Sequence, residues 1–209
     1  MRGTVPQKIG RVVANLAMHP AYLSRVVRHN VLGKRTPLEL ELPWFSYAAI
    51  DFLDRHLTGE MSVFEYGSGG STIFFARRAQ RVHSIEDNPR WFELVSEQLR
   101  QKGLGNVTLK LYPFDFKNPL GFQESDYLNA LPAERFDVLV IDGSEEWTQV
   151  RPFCFRLAET RVKPGGIIVV DDSWRYPELR RGHLAKRLEV FQSVGPARPG
   201  VTSTDVFFY

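Results

Sequence analysis

"VFEYGSGGSTIFFA", Val63 to Ala76, is the stretch whose reading decides the fold. A short apolar strand carries Glu65 close to its end. Gly67 and Gly69 follow, and Ser71 and Thr72 open a helical pattern. In a strand–glycine turn–helix unit, glycine lets the backbone turn sharply and approach a nucleotide-like ligand closely.

Outward from this unit, strands and helices alternate. "RVHSIE" reads as a second strand, and Asn88-Pro89 caps a helix over "RWFELVSEQLRQK" that Gly103 ends. "NVTLKLY", "FDVLVID" and "GGIIVVDD" are the next three strands. The spacing predicts helices from near Pro43 to before Gly59, from about Glu145 to Val162 and from Glu178 to Lys186. "LEVFQSV" and "STDVFFY" close the chain as paired strands. Near-continuous apolar strands such as "IIVVD" predict a parallel sheet covered on both faces, a doubly wound α/β fold. Right-handed crossovers then put the loops after the strands on one edge, where ligands of such sheets sit.

The 209 residues suit one domain with a short appendage, and 43% hydrophobic residues supply a sizeable core. The single cysteine, Cys154, excludes an internal disulfide and fits a reducing, cytoplasmic setting. No stretch reaches the roughly 20 apolar residues of a membrane span, and no secretory signal is visible. Charge is unevenly placed. Residues 1–35 hold Arg2, Lys8, Arg11, Arg25, Arg28, Lys34 and Arg35 and no acid, although the whole chain is only +3. Residues 1–42 therefore read as a basic helical arm and 43–209 as the domain. The arm could pack on its own domain or on a second copy as a homodimer. It could also meet an anionic acceptor or a membrane surface peripherally. Nucleic acid is not expected as a partner.

Acids collect at the predicted edge: Glu65, Glu86, Asp142, and Asp171 with Asp172. A dinucleotide fingerprint would place its third glycine at Thr72, and Glu65 would repel a pyrophosphate. A nucleoside carrying positive charge reverses that sign. S-adenosylmethionine, with its sulfonium and α-ammonium, is such a ligand. Glu86, at the end of the second strand, suits a carboxylate that accepts ribose hydroxyls, with Asp87 competing for the role.

"EYGSGGST", the acid ending the second strand, "FDVLVIDG", "VKPGGIIVVDD" and the closing strand pair together resemble the class I S-adenosylmethionine-dependent methyltransferases, over roughly residues 43–209. The resemblance implies a Rossmann-like seven-stranded sheet in the order 3-2-1-4-5-7-6, with strand 7 antiparallel. It implies that Glu65, Gly67, Ser68 and Gly69 line the methionine part of the cofactor, with Ser71 and Thr72 beside it. Glu86 would hold the ribose, and Asp115 would meet the adenine amine. Asp142 and Gly143 would form the floor between cofactor and acceptor.

The loop after the fourth strand, "DGSEEW", lacks the Asn/Asp-Pro-Pro-aromatic signature of adenine and glutamine amino-group methylation. Cys154, between Phe153 and Phe155, is not expected to be a nucleophile. Asp142, Asp171 and Asp172 are similar to the metal ligands of catechol-type O-methyltransferases. Glu145 stands where that group has lysine, however, so a divalent metal is not favoured, and the arginines of "WRYPELRR" could balance the acids instead. The expected function is O-methylation of a small-molecule or glycan-type acceptor, with Asp142 or Asp171 taking the acceptor proton. An aminopropyl transferase acting on a polyamine, or a non-catalytic module that keeps the cofactor fold, are the alternatives.

Overall fold

The computed structural model describes residues 3–33 and 35–209; Arg2 and Lys34 of the basic arm lie outside them. Seven strands form one sheet: β1 (Ser62–Tyr66), β2 (Arg81–Glu86), β3 (Val107–Leu111), β4 (Phe136–Ile141), β5 (Val162–Val170), β6 (Arg187–Val194) and β7 (Val201–Phe208). Their order is β3-β2-β1-β4-β5-β7-β6. β7 runs antiparallel to both β5 and β6, and the remaining pairs are parallel. Both the order and the direction match the expectation.

Among the described residues seven α-helices accompany the sheet: α1 (Val5–Met18), α2 (Ala21–Val26), α3 (Pro37–Leu40), α4 (Tyr47–His56), α5 (Gly70–Ala76), α6 (Pro89–Gln101) and α7 (Val150–Glu159). Alternation along the strands feeds two cores. Phe64, Tyr66, Leu139 and Ile141 pack with Phe155 of α7 on one face. Val63, Val138 and Val140 pack with Leu53 of α4 and Phe74 and Phe75 of α5 on the other. Asn88 caps α6 by accepting the Trp91 N–H (3.1 Å), and Gly103, at φ +65°, follows its end.

Three helical expectations change. α4 starts at Tyr47 rather than Pro43, because Ser46 is the cap and accepts the Ala49 N–H. α7 starts at Val150 rather than Glu145, and residues 143–149 form a loop over the carboxyl edge. Residues 178–181 are turn and 182–186 are irregular, not a helix. Arg180 is drawn onto Asp205 of β7 (2.6 Å), and the Leu184 N–H is held by Glu159 (2.6 Å).

The arm packs on the domain. α1, α2 and a π-helical stretch, Val27–Leu32, set Val12, Leu16, Tyr22 and Val26 against the core face that contains Ile50, Leu53 and Val194. Buried Asn15 accepts the Val194 N–H (3.1 Å), and His29 bonds the Tyr47 hydroxyl (2.9 Å). α3, just before the expected boundary at residue 43, sets Leu38 against Ile73, Val95 and Leu99. No helix among the described residues is long and apolar enough to cross a membrane.

Candidate active site

The loop between β1 and α5 is packed tightly from both sides. Gly67 takes φ +92°, and a Cβ there would lie 2.7 Å from the Asp142 carbonyl oxygen. A Cβ on Gly70 would lie 2.3 Å from the carbonyls of both Pro37 and Leu42. Only glycine lets these three chain segments meet. Beneath the loop, Glu65 is 1% exposed. Its carboxylate accepts the Thr72 hydroxyl and the Ser84 hydroxyl (2.7 Å), and Thr72 in turn accepts the Gly69 N–H (2.9 Å). The second carboxylate oxygen, Oε2, is buried without a partner. Burial pushes the Glu65 carboxyl up to about 7.

Glu86 pins the loop from the side. One oxygen accepts both the Ser68 N–H (3.0 Å) and the Ser68 hydroxyl (2.6 Å). The other accepts the N–H groups of Asp87 (3.1 Å) and Asn88 (3.0 Å). Asp87 makes no ion pair among the described residues and lines the same cleft. Burial, then the neighbouring Glu86, raise its carboxyl to about 6. Trp91 closes this side. Its indole N–H donates to the Ser68 carbonyl (2.7 Å), and its ring lies 3.6 Å from where a Cβ on Gly69 would be.

At the ends of β4 and β5 two arginines organise the acids. Arg151, on the first turn of α7, is 3% exposed. It donates to the Gly143 carbonyl (2.9 Å) and to the Asp171 carbonyl (2.6 Å), and it pairs with the Asp142 carboxylate at 3.1 Å. It therefore ties the two strand ends together. Arg198 enters from the loop between β6 and β7. It donates to both Asp172 oxygens (3.0 and 3.1 Å) and approaches Asp171 at 3.7 Å. Thr202 also donates to Asp172, and Thr204 to Asp171 (2.8 Å). Burial alone would raise Asp172, but Arg198 and these donors outweigh it and hold the carboxyl below its ordinary range. Asp171 goes the other way: burial and the adjacent Asp142 push it well up. Asp142 is 22% exposed. Burial raises its carboxyl to about 7 against the pull of Arg151.

Gly67, Ser68, Gly69, Glu86, Asp87, Trp91, Asp142, Gly143, Arg151, Asp171, Asp172 and Arg198 line one cleft of about 500 Å³, together with Trp44, Ser71 and Glu145. A family model described as a methyltransferase domain matches residues 64–173. The chain belongs to that family, the class I S-adenosylmethionine-dependent methyltransferases. Over 106 residues it is 33% identical to the Methanothermobacter thermautotrophicus protein named "Probable cobalt-precorrin-6B C(15)-methyltransferase (decarboxylating)". That match covers 50% of this chain and 47% of the relative, so the chain aligns with about half of the relative's length. Two solved structures share the fold. The O-methyltransferase TomG of Streptomyces achromogenes, in complex with SAM, has TM-score 0.60 at 17% identity, over 96% of this chain and 97% of its own. The precorrin-6y C5,15-methyltransferase of Geobacter metallireducens has TM-score 0.54 at 16% identity, over 85% and 92%.

The cleft carries more acidic than basic side chains. Six carboxyl side chains line it (Glu86, Asp87, Asp142, Glu145, Asp171, Asp172) against three guanidinium groups (Arg151, Arg175, Arg198). Gly67, Ser68, Gly69, Ser71, Glu86, Asp142 and Gly143 all line it, whereas Glu65 and Thr72 lie behind the loop and brace it. Asp115 does not reach it. Phe114 and Phe116 on either side join an aromatic cluster with Phe122, which leaves Asp115 exposed and accepting the Lys117 N–H (3.1 Å). Trp147 likewise packs on Phe122 and Phe153. Asp142, Asp171 and Asp172 do not make a metal donor set, because Arg198, Arg151, Thr202 and Thr204 already occupy them. Among the described residues no group of three or more metal-ligating side chains converges. The balancing charge comes chiefly from Arg151 and Arg198. Within "WRYPELRR", Arg175 pairs with Glu145 (2.9 Å), while Arg180 is spent on Asp205. Sequence reasoning missed Arg151, Arg198 and Trp91. Arg198 had a usable signal: β6 runs parallel to β1, so the turn after it must return to the carboxyl edge.

Proposed function

We propose that this methyltransferase acts on the hydroxyl of a small-molecule or glycan-type acceptor, with Asp142 as the base. The observation that carries this reading is the difference among the three acids. Asp171 and Asp172 are almost fully buried and bonded to Thr204, Thr202 and Arg198. Asp142 keeps part of its carboxylate open to the cleft, with a pKa raised to about 7. A base poised near neutrality suits removal of a hydroxyl proton. Asp171 then supports rather than reacts, holding Arg198 and Thr204 in place.

S-adenosylmethionine, when bound, supplies an electrophilic methyl on a sulfonium. The chain's own work is alignment and charge. Gly67, Ser68 and Gly69 would bring backbone against the methionine part, with Glu65 bracing them from below. Asp87 has a free carboxylate, and Glu86 could exchange its Ser68 hydroxyl bond, so the ribose hydroxyls would fall between these two. Gly143 and Asp142 would hold acceptor and methyl in line within a water-poor cleft.

The curated relative's name points to carbon methylation of a cobalt-precorrin. A macrocycle of that size would have to share a cleft of about 500 Å³ with the cofactor, which favours a smaller reacting group. Incubation with S-adenosylmethionine and a panel of hydroxylated acceptors, followed by mass analysis, is the test. Gain of a methyl on oxygen supports the reading; gain of an aminopropyl group or of a methyl on carbon rejects it. Turnover is expected to survive excess EDTA, because Arg151 and Arg198 supply the charge a metal would. Loss in EDTA with recovery in Mg²⁺ would contradict that.

A further inference from the structure

A second concavity of about 730 Å³ lies between α1, the π-helical stretch and the 195–200 turn, and its lining differs from that of the cleft. Val5, Ile9 and Val13 repeat at i, i+4 and i+8 along one face of α1 and border it, yet each remains 59–70% exposed. Val12 and Leu16, on the adjacent face, are the residues that pack toward the domain core. So α1 carries one apolar face that folding uses and another that it leaves to the groove. Val12 borders the groove as well as the core, and Val26, Val194, Ala197 and Pro199 complete the apolar lining.

The charged groups of the groove have one sign. Lys8, Arg35 and Arg198 border it, and no acid does. Neither Lys8 nor Arg35 forms an ion pair among the described residues; Glu39, near Arg35, is turned back onto the Thr36 N–H (2.6 Å). Arg198 also lines the cleft. The groove is thus apolar along its length, cationic at its border, and adjoins the candidate active site through a shared side chain.

We propose that this groove holds the apolar chain of a single anionic long-chain amphiphile, whose head stays at the cationic border beside Lys8 and Arg35, outside the acid-lined cleft. A concave site with cations at its border fits one chain bearing an anionic head better than it fits a flat bilayer surface. Burying the chain would also cover apolar area that folding leaves open.

The test is a fluorescence titration of the full chain with 11-(dansylamino)undecanoic acid below its micellar range. Saturable one-to-one binding is expected, displaced by dodecyl phosphate and not by dodecyltrimethylammonium. Ile9→Asp and Val13→Asp should each weaken it at least tenfold, and Lys8→Glu with Arg35→Glu several-fold, with unchanged circular dichroism and melting temperature. Several results would overturn the proposal: absence of saturable binding, or binding indifferent to those substitutions. Co-sedimentation with phosphatidylglycerol vesicles while the monomeric probe stays unbound would assign the face to a bilayer instead. A dimer that Ile9→Asp dissociates would assign it to a second copy. A parallel titration with S-adenosylhomocysteine reports separately on the cleft, so failure of one reading is distinguishable from failure of the other.

Discussion

Glu65 shows how one buried acid can be structural and titratable at once. Its carboxyl rises from 4.5 to about 7 through burial, a shift worth on the order of 3 kcal/mol. A raised folded-state pKa means that the folded state holds the proton more tightly than the unfolded chain. This contribution to stability is complete below about pH 4.5 and is lost as pH rises through about 7. Glu65→Gln should therefore flatten the fall in melting temperature between pH 5 and 8, and an unchanged slope would remove Glu65 as its source. At Asp142 the sign matters for rate. A base must be deprotonated, so turnover should rise with pH through about 7. Asp142→Asn should cost roughly 10²- to 10⁴-fold in kcat and leave S-adenosylhomocysteine affinity within a few-fold. An equal loss in both would place Asp142 on the cofactor rather than the acceptor.

Among the elements, the basic arm departs furthest from a simple reading. Because the glycine loop and the acids all follow Glu39, the arm looks dispensable for the cleft. The contacts of Asn30 indicate otherwise. Its amide nitrogen donates to the carbonyls of Gly195 and Arg198 (3.2 Å each), and its oxygen accepts the Ala197 N–H (2.8 Å). Ala197 sits in the left-handed region at φ +50°, a conformation that needs such a clamp. The arm therefore holds the turn that delivers Arg198 to Asp172. Asn30→Ala should lower stability by about 1–3 kcal/mol through unpaired turn groups, and should lower kcat beyond that loss. Full turnover at a temperature where the variant is folded would show that the turn holds itself.

For the whole molecule, periodicity and glycine placement carry most of the fold. Continuous apolar strands, the "GSGG" turn and the Asn88-Pro89 cap are local signals, and the sheet order follows from them with the family resemblance. The glycine loop, Glu86, Asp142 and Gly143 were legible for the same reason, since they stand at strand ends. Arg151 and Arg198 were not named, because neither stands in a motif: Arg198 meets Asp172 from 26 residues away and Arg151 meets the Asp171 carbonyl from 20, contacts that the folded sheet makes. Glu65 was read as cofactor-lining. Its side chain alternates to the α5 face of the sheet, a matter of strand register that a motif does not contain. Asp115 stands outside the cleft because its aromatic neighbours, rather than its own chemistry, fix the loop. What joins these scales is a cleft with more carboxylates than guanidinium groups, shaped by glycines against a cationic nucleoside. Calorimetric titration of the purified chain with S-adenosylhomocysteine, alongside NAD, addresses this directly. One equivalent of S-adenosylhomocysteine should bind with a saturable heat and NAD should give none; saturable binding of NAD with no response to S-adenosylhomocysteine would contradict it.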